Sequence, residues 1–466
     1  MKSLLIKSVL RLKGEIVLLG DKSIAHRCII VSALAEGETT IENFPTNKDC
    51  LYTIAAFKKL GIKIKQEQLK TPNKPPVITV FGKGLYGLKK PKGPLFVGDS
   101  GTTLRLLLGV LAGQDFNVRL IGSKSLSRRP MLRVTQALRL MGAEITANRK
   151  WFDRLTIPRT IPSETEGPQT ANRIEEYLPI TIKGKNLRSI TYKMPVASAQ
   201  VKSAILLAGL YTGGRTSVIE PIPTRDHTER ILKLFKADIK LQQNKIVMKG
   251  QRELISPQRI YVPGDISSAS FFMVAAVILP HSRICIKKVS LNPSRIGIIR
   301  VLKRMGAHIK VQGSRFKVQG CEPMGDLLVK SSFLKGTRVK KKEVPSLIDE
   351  LPVLMVAACV AEGKTIFEGV EELRVKETDR IRSMSENLRK MGANIEVFNV
   401  GKSENIIIKG IKQLQGAKVR SFGDHRTAMS IVIAGMCAKG KTLVDDIICI
   451  NKSFPEFLHT FKKIIY

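Results

Sequence analysis

At 466 residues the chain is too long for one hydrophobic core and points to two domains. Its 43% hydrophobic content is that of a soluble globular protein, and apolar runs such as Phe271–Leu279 stop well short of a bilayer span. The formal charge of +39 admits a nucleic-acid binder, a protein for anionic small molecules, or a Lys-rich surface with no specific role. Aromatics are only 5%, so stacking platforms for single strands are poorly supplied, and no recognition-helix, zinc-finger or RNA-binding signature is present.

In chain order, the basic stretch Met1–Gly14 has its apolar run broken by Lys7 and Arg11, so it reads as a strand rather than a signal peptide. Gly20–Ser23 (GDKS) is a turn-like stub opening a helix. Lys22, Ser23 and Arg27 gather there, with Arg27 four residues beyond Ser23 on the same helical face. Cations at a helix start oppose the macrodipole unless an anion sits between them; the alternative is a solvated face. Residues 69–76 read as a solvent loop. The second stub, GDSG from Gly98, supplies Gly101 for close backbone approach and Arg105 deeper in the helix. In SLSRRPM, Arg128 and Arg129 precede Pro130. They make either an exposed turn or, through Arg129, a bidentate carboxylate clamp. The polar segment 159–176 reads as an exposed insertion in the lead-in to the third stub, ASAQ from Ala197.

Residues 258–264 read as a crossing strand and turn between domains, before the fourth stub, GDIS from Gly264. The fifth is IDEL from Ile348. In LRVKETDRIRSM, a helical reading puts Lys376 four residues and Glu377 three residues from Arg380. A glutamate among cations is a salt-bridge partner, and becomes a proton donor only if burial keeps it partly neutral. The sixth stub, GDHR from Gly423, adds Asp424, His425 and Arg426, and NKSFPEF adds Lys452.

The six stubs head similar units. From Asp21, Asp99, Ser198, Asp265, Asp349 and Asp424 to the next break (Gly37, Gly113, Gly213, Pro280, Gly363, Gly440) is always 14 to 16 residues, one helix plus its cap. Asp or Ser at such a place accepts a hydrogen bond from a free backbone N–H, and the same helix end attracts anions. Each unit reads as strand, helix, strand, helix, strand, strand, so the class is mixed α/β. Seven cysteines without paired spacing suit a reducing, cytoplasmic setting and suggest neither a disulfide framework nor a metal site. There is no Ser-His-Asp set, no P-loop and no GxGxxG after a strand.

The segments GDKSIAHR, DSGTTLR, SRRPM, ASAQVKSAILLAGL, TRDHTER, PGDISSASFF, IDELPVL, RVKETDR, GDHRTAM and SFPEF, in this order, make the chain resemble the EPSP synthase (3-phosphoshikimate 1-carboxyvinyltransferase) family over nearly its whole length. The resemblance implies a two-lobed enolpyruvyl transferase fold of six βαβαββ repeats, three per lobe. One lobe would be residues 21–262, with the insertion near 159–176, and the other residues 1–20 plus 263–466. It implies a monomer with no cofactor, no metal, no nucleic acid and no membrane, acting on shikimate 3-phosphate and phosphoenolpyruvate. Shikimate 3-phosphate would be held by Lys22, Ser23, Arg27, Ser198, Ala199, Gln200, Arg225, Asp349 and Lys376. Phosphoenolpyruvate would be held by Lys22, Gly101, Arg129, Gln200, Arg380, Arg426 and Lys452. Asp349, Glu377 and Lys22 would be catalytic, with Asp349 taking the 5-hydroxyl proton and the other two handling the proton at C3.

Some positions depart from the pattern. Asp99 stands where the family usually has Asn, and would repel phosphoenolpyruvate unless it caps its helix and is neutralised by Arg129 or Lys22. Ala25 replaces a common Ser, and Leu106 stands where some members have Pro. The nearest rival is the sister transferase acting on UDP-N-acetylglucosamine, which is expected to carry a reactive Cys on the loop that here reads SKSLSRRPM. A different class, a non-catalytic basic nucleic-acid binder, is opposed by the joint presence of Lys22, Asp349, Glu377 and Arg380.

Overall fold

The computed structural model describes residues 2–67, 75–152, 173–313, 322–401 and 403–466. Among them the strands form six small sheets. Five share one plan, seen in the sheet around Asn117–Ile121. Leu95–Phe96 runs parallel on one side of that strand, Arg173–Lys183 antiparallel on the other, and Glu144–Phe152 closes the edge. A parallel neighbour requires a crossover, and the helix Gly101–Leu111 supplies it. Two of these five take a strand from far off in sequence: Arg259–Tyr261 pairs with Glu36–Glu42, and Lys13–Val17 pairs with Arg283–Ser290. The sixth sheet has three strands, with Leu4–Ile6 antiparallel to Thr442–Val444.

Buried apolar side chains form two separate cores. One is built from residues between Ile24 and Val262; the other uses Ile6, Leu12, Ile16 and Leu18 together with residues from Ile266 to Ile464. The chain passes between them twice, and the two passages lie side by side. Gly20 bridges Gly264, Asp21 N–H donates to Pro263 O (2.8 Å), and Asp265 N–H to Leu19 O (3.1 Å). Gly20 is required there, since a Cβ would fall 2.2 Å from Asn43 O.

Three helices run through each core: Lys22–Leu34, Gly101–Leu111 and Ala199–Gly209 in the first, Ile266–Ile278, Leu351–Cys359 and His425–Cys437 in the second. They are buried almost all round, which explains their small, apolar composition without an amphipathic stripe. Most start as the stubs predict. Asp21, Ser198, Asp265 and Asp424 each accept from a first-turn N–H. Two stubs differ. Ser100, not Asp99, caps its helix, accepting from Thr103 N–H at 3.2 Å. The fifth helix begins after Glu350 with no side-chain cap, so Asp349 is not used as one.

The segment 159–176 also needs correcting. Residues 159–172 lie outside the described residues, but the strands Glu144–Phe152 and Arg173–Lys183 that flank them pair within the second sheet, so the segment interrupts the second unit and not the lead-in of the third. Its last residue, Glu176, is buried, accepting from Thr135 Oγ1 (2.5 Å) and pairing with Arg139 at 2.9 Å. The loop 69–76 is described only at its final two residues. Ala25 and Leu106 are packed in the first core. Six cysteines are free thiols, and Cys321 lies outside the described residues. No helix among the described residues is long and apolar enough to cross a membrane.

Candidate active site

Lys22 opens its helix, and its ammonium meets Asp49 of the helix Lys48–Lys59 at 3.0 Å. Burial works against its charge, but Asp49 and Glu377 outweigh it and the pKa is raised. The fold therefore supplies its own counter-anion at this unfavourable helix start. Arg27, one turn further on, is buried. It donates from Nε to Thr228 Oγ1 (2.6 Å), from Nη1 to Ser23 O (2.8 Å) and from Nη2 to Ser203 Oγ (2.9 Å). Burial lowers its pKa to about 10. Arg27 thus ties the starts of three helices together, fixing Lys22, Gln200 and Arg225 relative to one another.

Ser198 spends its hydroxyl on Val201 N–H, and Ala199 and half-buried Gln200 follow in the first turn. Gln200 Oε1 accepts from Arg105 Nη1 (2.8 Å) while its Nε2 donates to Thr102 Oγ1 (2.9 Å), so the amide is oriented from both ends. Gly101 faces Arg129: a Cβ on it would lie 2.8 Å from Arg105 Nη1 and 3.4 Å from Arg129 Nη1. Arg129 is 3.6 Å from both Asp99 and Glu377, and its Nε is buried without a hydrogen-bond partner among the described residues. Asp99 also accepts from Ser123 Oγ (2.8 Å) and pairs with Lys452 at 3.1 Å. Burial opposes its charge, yet Ser123, Arg129 and Lys452 hold its pKa below the usual value. Asp99 is neutralised, but by Lys452 and Arg129, with no bond to Lys22.

From the second core come the anions that these cations face. Asp349 meets Arg225 of the first core at 2.6 Å, Arg380 at 3.4 Å and Arg426 at 3.8 Å, and its carbonyl accepts from Arg426 Nη1 at 3.0 Å. Burial raises its pKa, but Arg426, Arg225, Lys376 and Arg380 overcome this and hold it well below the usual carboxylate range. Arg380 is buried and divides its guanidinium among Asp424 (3.0 Å), Asp349 and Glu377. Its burial disfavours the charge, and these three anions raise its pKa nonetheless. Glu377 is likewise ionised: burial is overcome by Arg380 and Arg129, with Lys22 adding. Burial lowers the pKa of Lys376, only partly offset by Asp349.

The RVKETDR segment is not the helix that its spacing predicts. Glu371–Val375 is a short 3-10 turn, Asp379 caps Arg382 N–H at 2.9 Å, and the α-helix starts only at Arg380. Lys376 and Glu377 sit on the intervening loop. The Glu377–Arg380 pair forms anyway, because the cap turns the loop back over the helix start.

Most of the sequence-predicted residues thus lie on helix starts or adjoining loops of the two cores, with Arg27 one turn into its helix and Lys452 closing the 3-10 turn Ile448–Lys452, and most are joined by named bonds. Sequence reasoning missed Asp49, which carries no signal beyond an acidic first turn. It also left His425 without a role. That ring is buried, neither nitrogen has a partner among the described residues, and its pKa is driven well below the usual value by burial, against the pull of Glu377. Among the described residues no cluster of three or more His, Cys, Asp or Glu is placed to hold a metal ion.

The family model for EPSP synthase (3-phosphoshikimate 1-carboxyvinyltransferase) matches residues 6–159 and 170–461. The chain belongs to the EPSP synthase family. The 3-phosphoshikimate 1-carboxyvinyltransferase of Desulforamulus reducens is 43% identical over 99% of each chain, and that of Shouchella clausii 46% identical over 97% of each. Among solved structures, EPSP synthase from Acinetobacter baumannii superposes with a TM-score of 0.82 at 39% identity, covering 99% of this chain and 98% of that one.

Proposed function

We infer that this chain transfers the enolpyruvyl group of phosphoenolpyruvate to the 5-hydroxyl of shikimate 3-phosphate and releases phosphate. The observation that carries the reading is Asp349, gripped between Arg225 of one core and Arg380 and Arg426 of the other, with Glu377 on the far side of the same Arg380. A base and an acid are thereby spaced along one cation array. The 3-phosphate of the acceptor would draw Arg225 away from Asp349, freeing one carboxylate oxygen beside the 5-hydroxyl. Lys22, Ser23, Arg27, Ser198, Ala199, Gln200 and Lys376 complete this half, partly through the helix-start amides. Phosphoenolpyruvate takes Lys22, Gly101, Arg129, Gln200, Arg380, Arg426 and Lys452, displacing Asp99 from Arg129 and Lys452 and Glu377 from Arg129 and Arg380.

The chemistry follows from that exchange. C2 of phosphoenolpyruvate is a poor electrophile until C3 is protonated. Once anionic substrate occupies Arg129 and Arg380, Glu377 loses the cations that hold its proton off, and it can carry the proton to C3 with Lys22 beside it. Asp349 takes the hydroxyl proton as the oxygen bonds to C2. The tetrahedral adduct then loses a C3 proton and the C2–O bond to phosphate, whose charge the arginines stabilise. Closing of the first lobe (residues 21–262) on the second would keep water from the cation-like centre. Asp349→Ala should lower kcat by about a thousandfold with little change in phosphoenolpyruvate affinity, read by phosphate release and by titration calorimetry. Turnover like that of the unaltered chain would refute the assignment. UDP-N-acetylglucosamine in place of shikimate 3-phosphate should release no phosphate.

A further inference from the structure

Arg225 and Asp349 come from different cores, yet the residue following each is held by the same short turn. That turn, Asn292–Arg295, lies between the strand Arg283–Ser290 and the helix Gly297–Arg304 of the second core, outside the ion-pair array. On one side it grips Asp226. Asn292 Nδ2 donates to Asp226 Oδ1 (2.7 Å), Ser294 Oγ donates to the same oxygen (3.0 Å), and Asp226 N–H donates to Ser294 Oγ (3.4 Å). Asn292 Nδ2 also donates to Glu322 Oε2 (2.7 Å), whose other oxygen meets His227 Nδ1 at 2.6 Å. On the other side the turn reaches Glu350. Arg295 Nη2 donates to Ser267 Oγ (2.5 Å), that hydroxyl donates to Glu350 Oε1, and Arg295 and Glu350 form an ion pair at 3.5 Å.

Asn292, Arg295 and Glu350 are each at most 1% exposed. Removing charges and amides from water so completely is unfavourable unless they are matched. Here the matching is specific: the turn is folded on itself by Ser294 N–H to Asn292 Oδ1 (2.8 Å) and Arg295 N–H to Asn292 O (2.8 Å). One half of this buried network crosses between cores and the other stays within the second. Neither half touches the cations assigned to substrate.

We propose that the Asn292–Arg295 turn is a bracket of positioning residues, docking Asp226 and Glu350 so that Arg225 and Asp349 are set against each other when the two cores meet. The proposal rests on the roles given above to Arg225 and Asp349. Through Asp226 the turn fixes where the phosphate-binding guanidinium stands. Through Glu350 it fixes the backbone of the base. The two halves therefore act on different constants: the Asn292 side on acceptor binding, the Arg295 side on turnover.

Steady-state kinetics on the full chain test this. Asn292→Ala should raise KM for shikimate 3-phosphate about tenfold and leave kcat within about twofold, the size expected for lost hydrogen bonds to a charged partner. Ser267→Ala, which removes the hydroxyl between Arg295 and Glu350 without stranding a new charge, should lower kcat about fivefold with KM nearly unchanged. A generally loosened fold would move both constants together. The deciding readout is a double-mutant cycle: in an Arg225→Ala background, Asn292→Ala should add less than about twofold to KM, because its effect runs through Arg225. Full additivity would overturn the bracket while leaving Arg225 on the phosphate. Arg225→Ala with an unchanged KM would instead overturn the role of Arg225, and the bracket with it. Should Asn292→Ala not fold, Ser294→Ala enters the same cycle with an expected rise of about threefold.

Discussion

His425 is the residue whose setting says most about charge in the cleft. Burial and the surrounding Lys22, Arg426 and Arg380 keep its ring neutral, although Glu377 pulls the other way. The consequence for stability has a definite sign. The folded pKa lies below the unfolded value of 6.5, so from pH 6.5 downward the unfolded chain binds a proton that the folded chain refuses. The contribution is intact above pH 6.5 and is lost as the pH falls below it, by up to about 1.4 kcal/mol per pH unit. Asp349 and Glu377, with depressed pKa values, add almost no slope between about pH 5.5 and 6.5, because both are almost fully ionised there in either state. His425→Gln should therefore lose less stability than the parent chain between pH 6.5 and 5.5, measured by urea unfolding; parallel losses would place the ring proton elsewhere. Such a property is not legible in sequence. The types of the site residues were, because Lys22, Arg129, Asp349, Glu377, Arg380 and Arg426 stand in short motifs. Their partners were not: Asp49 and Lys452 reach Lys22 and Asp99 only through the fold.

Helix starts carry the site, and they were the most legible elements. A capping residue followed by an apolar run predicts a start from local physics alone, which is why Asp21, Ser198, Asp265 and Asp424 fell where expected. Adjacent cap candidates cannot be separated in this way, and Asp99 lost to Ser100. The i, i+4 spacing in RVKETDR misled for a related reason: Asp379 caps the helix within the motif, so the spacing belongs to a turn. The start at Gly101 makes its own prediction. It is the first helical residue, and the space a side chain would fill is closed by the guanidinium ends of Arg105 and Arg129. Those ends can give way, so Gly101→Ala should fold normally. It should push Arg105 aside, disturb the Gln200 amide that Arg105 orients, and raise KM for phosphoenolpyruvate about tenfold or more, with a smaller effect on shikimate 3-phosphate. A larger rise for the acceptor would mean that Gly101 lies in the other half of the site.

At the scale of the whole molecule, the two cores are joined by two adjacent chain passages and by polar contacts across the gap. The repeated stubs made the helical framework legible, and residues 1–20 and 258–264 already read as crossing strands, but the partners of Lys13–Val17 and Arg259–Tyr261 were not legible, since strand partners distant in sequence leave no local trace. Several cross-core contacts involve the site itself: Arg225 with Asp349, Arg129 with Glu377, and Lys452 with Asp99. Arg133 with Glu372 is different. The guanidinium faces Glu372 Oε1 through both terminal nitrogens at 3.1 Å, next to the loop that bears Lys376 and Glu377, yet neither partner has a substrate role. This pair is about a quarter exposed, so its strength should depend on screening. If it helps hold the cores together, Glu372→Gln should raise KM for shikimate 3-phosphate about two- to fivefold in dilute buffer while kcat changes little. In about 1 M salt, where the Debye length falls to about 3 Å, the variant and the parent chain should converge. A gap that survives high salt would show that Glu372 acts through the geometry of its loop, and that its charge adds nothing to the attraction between the cores.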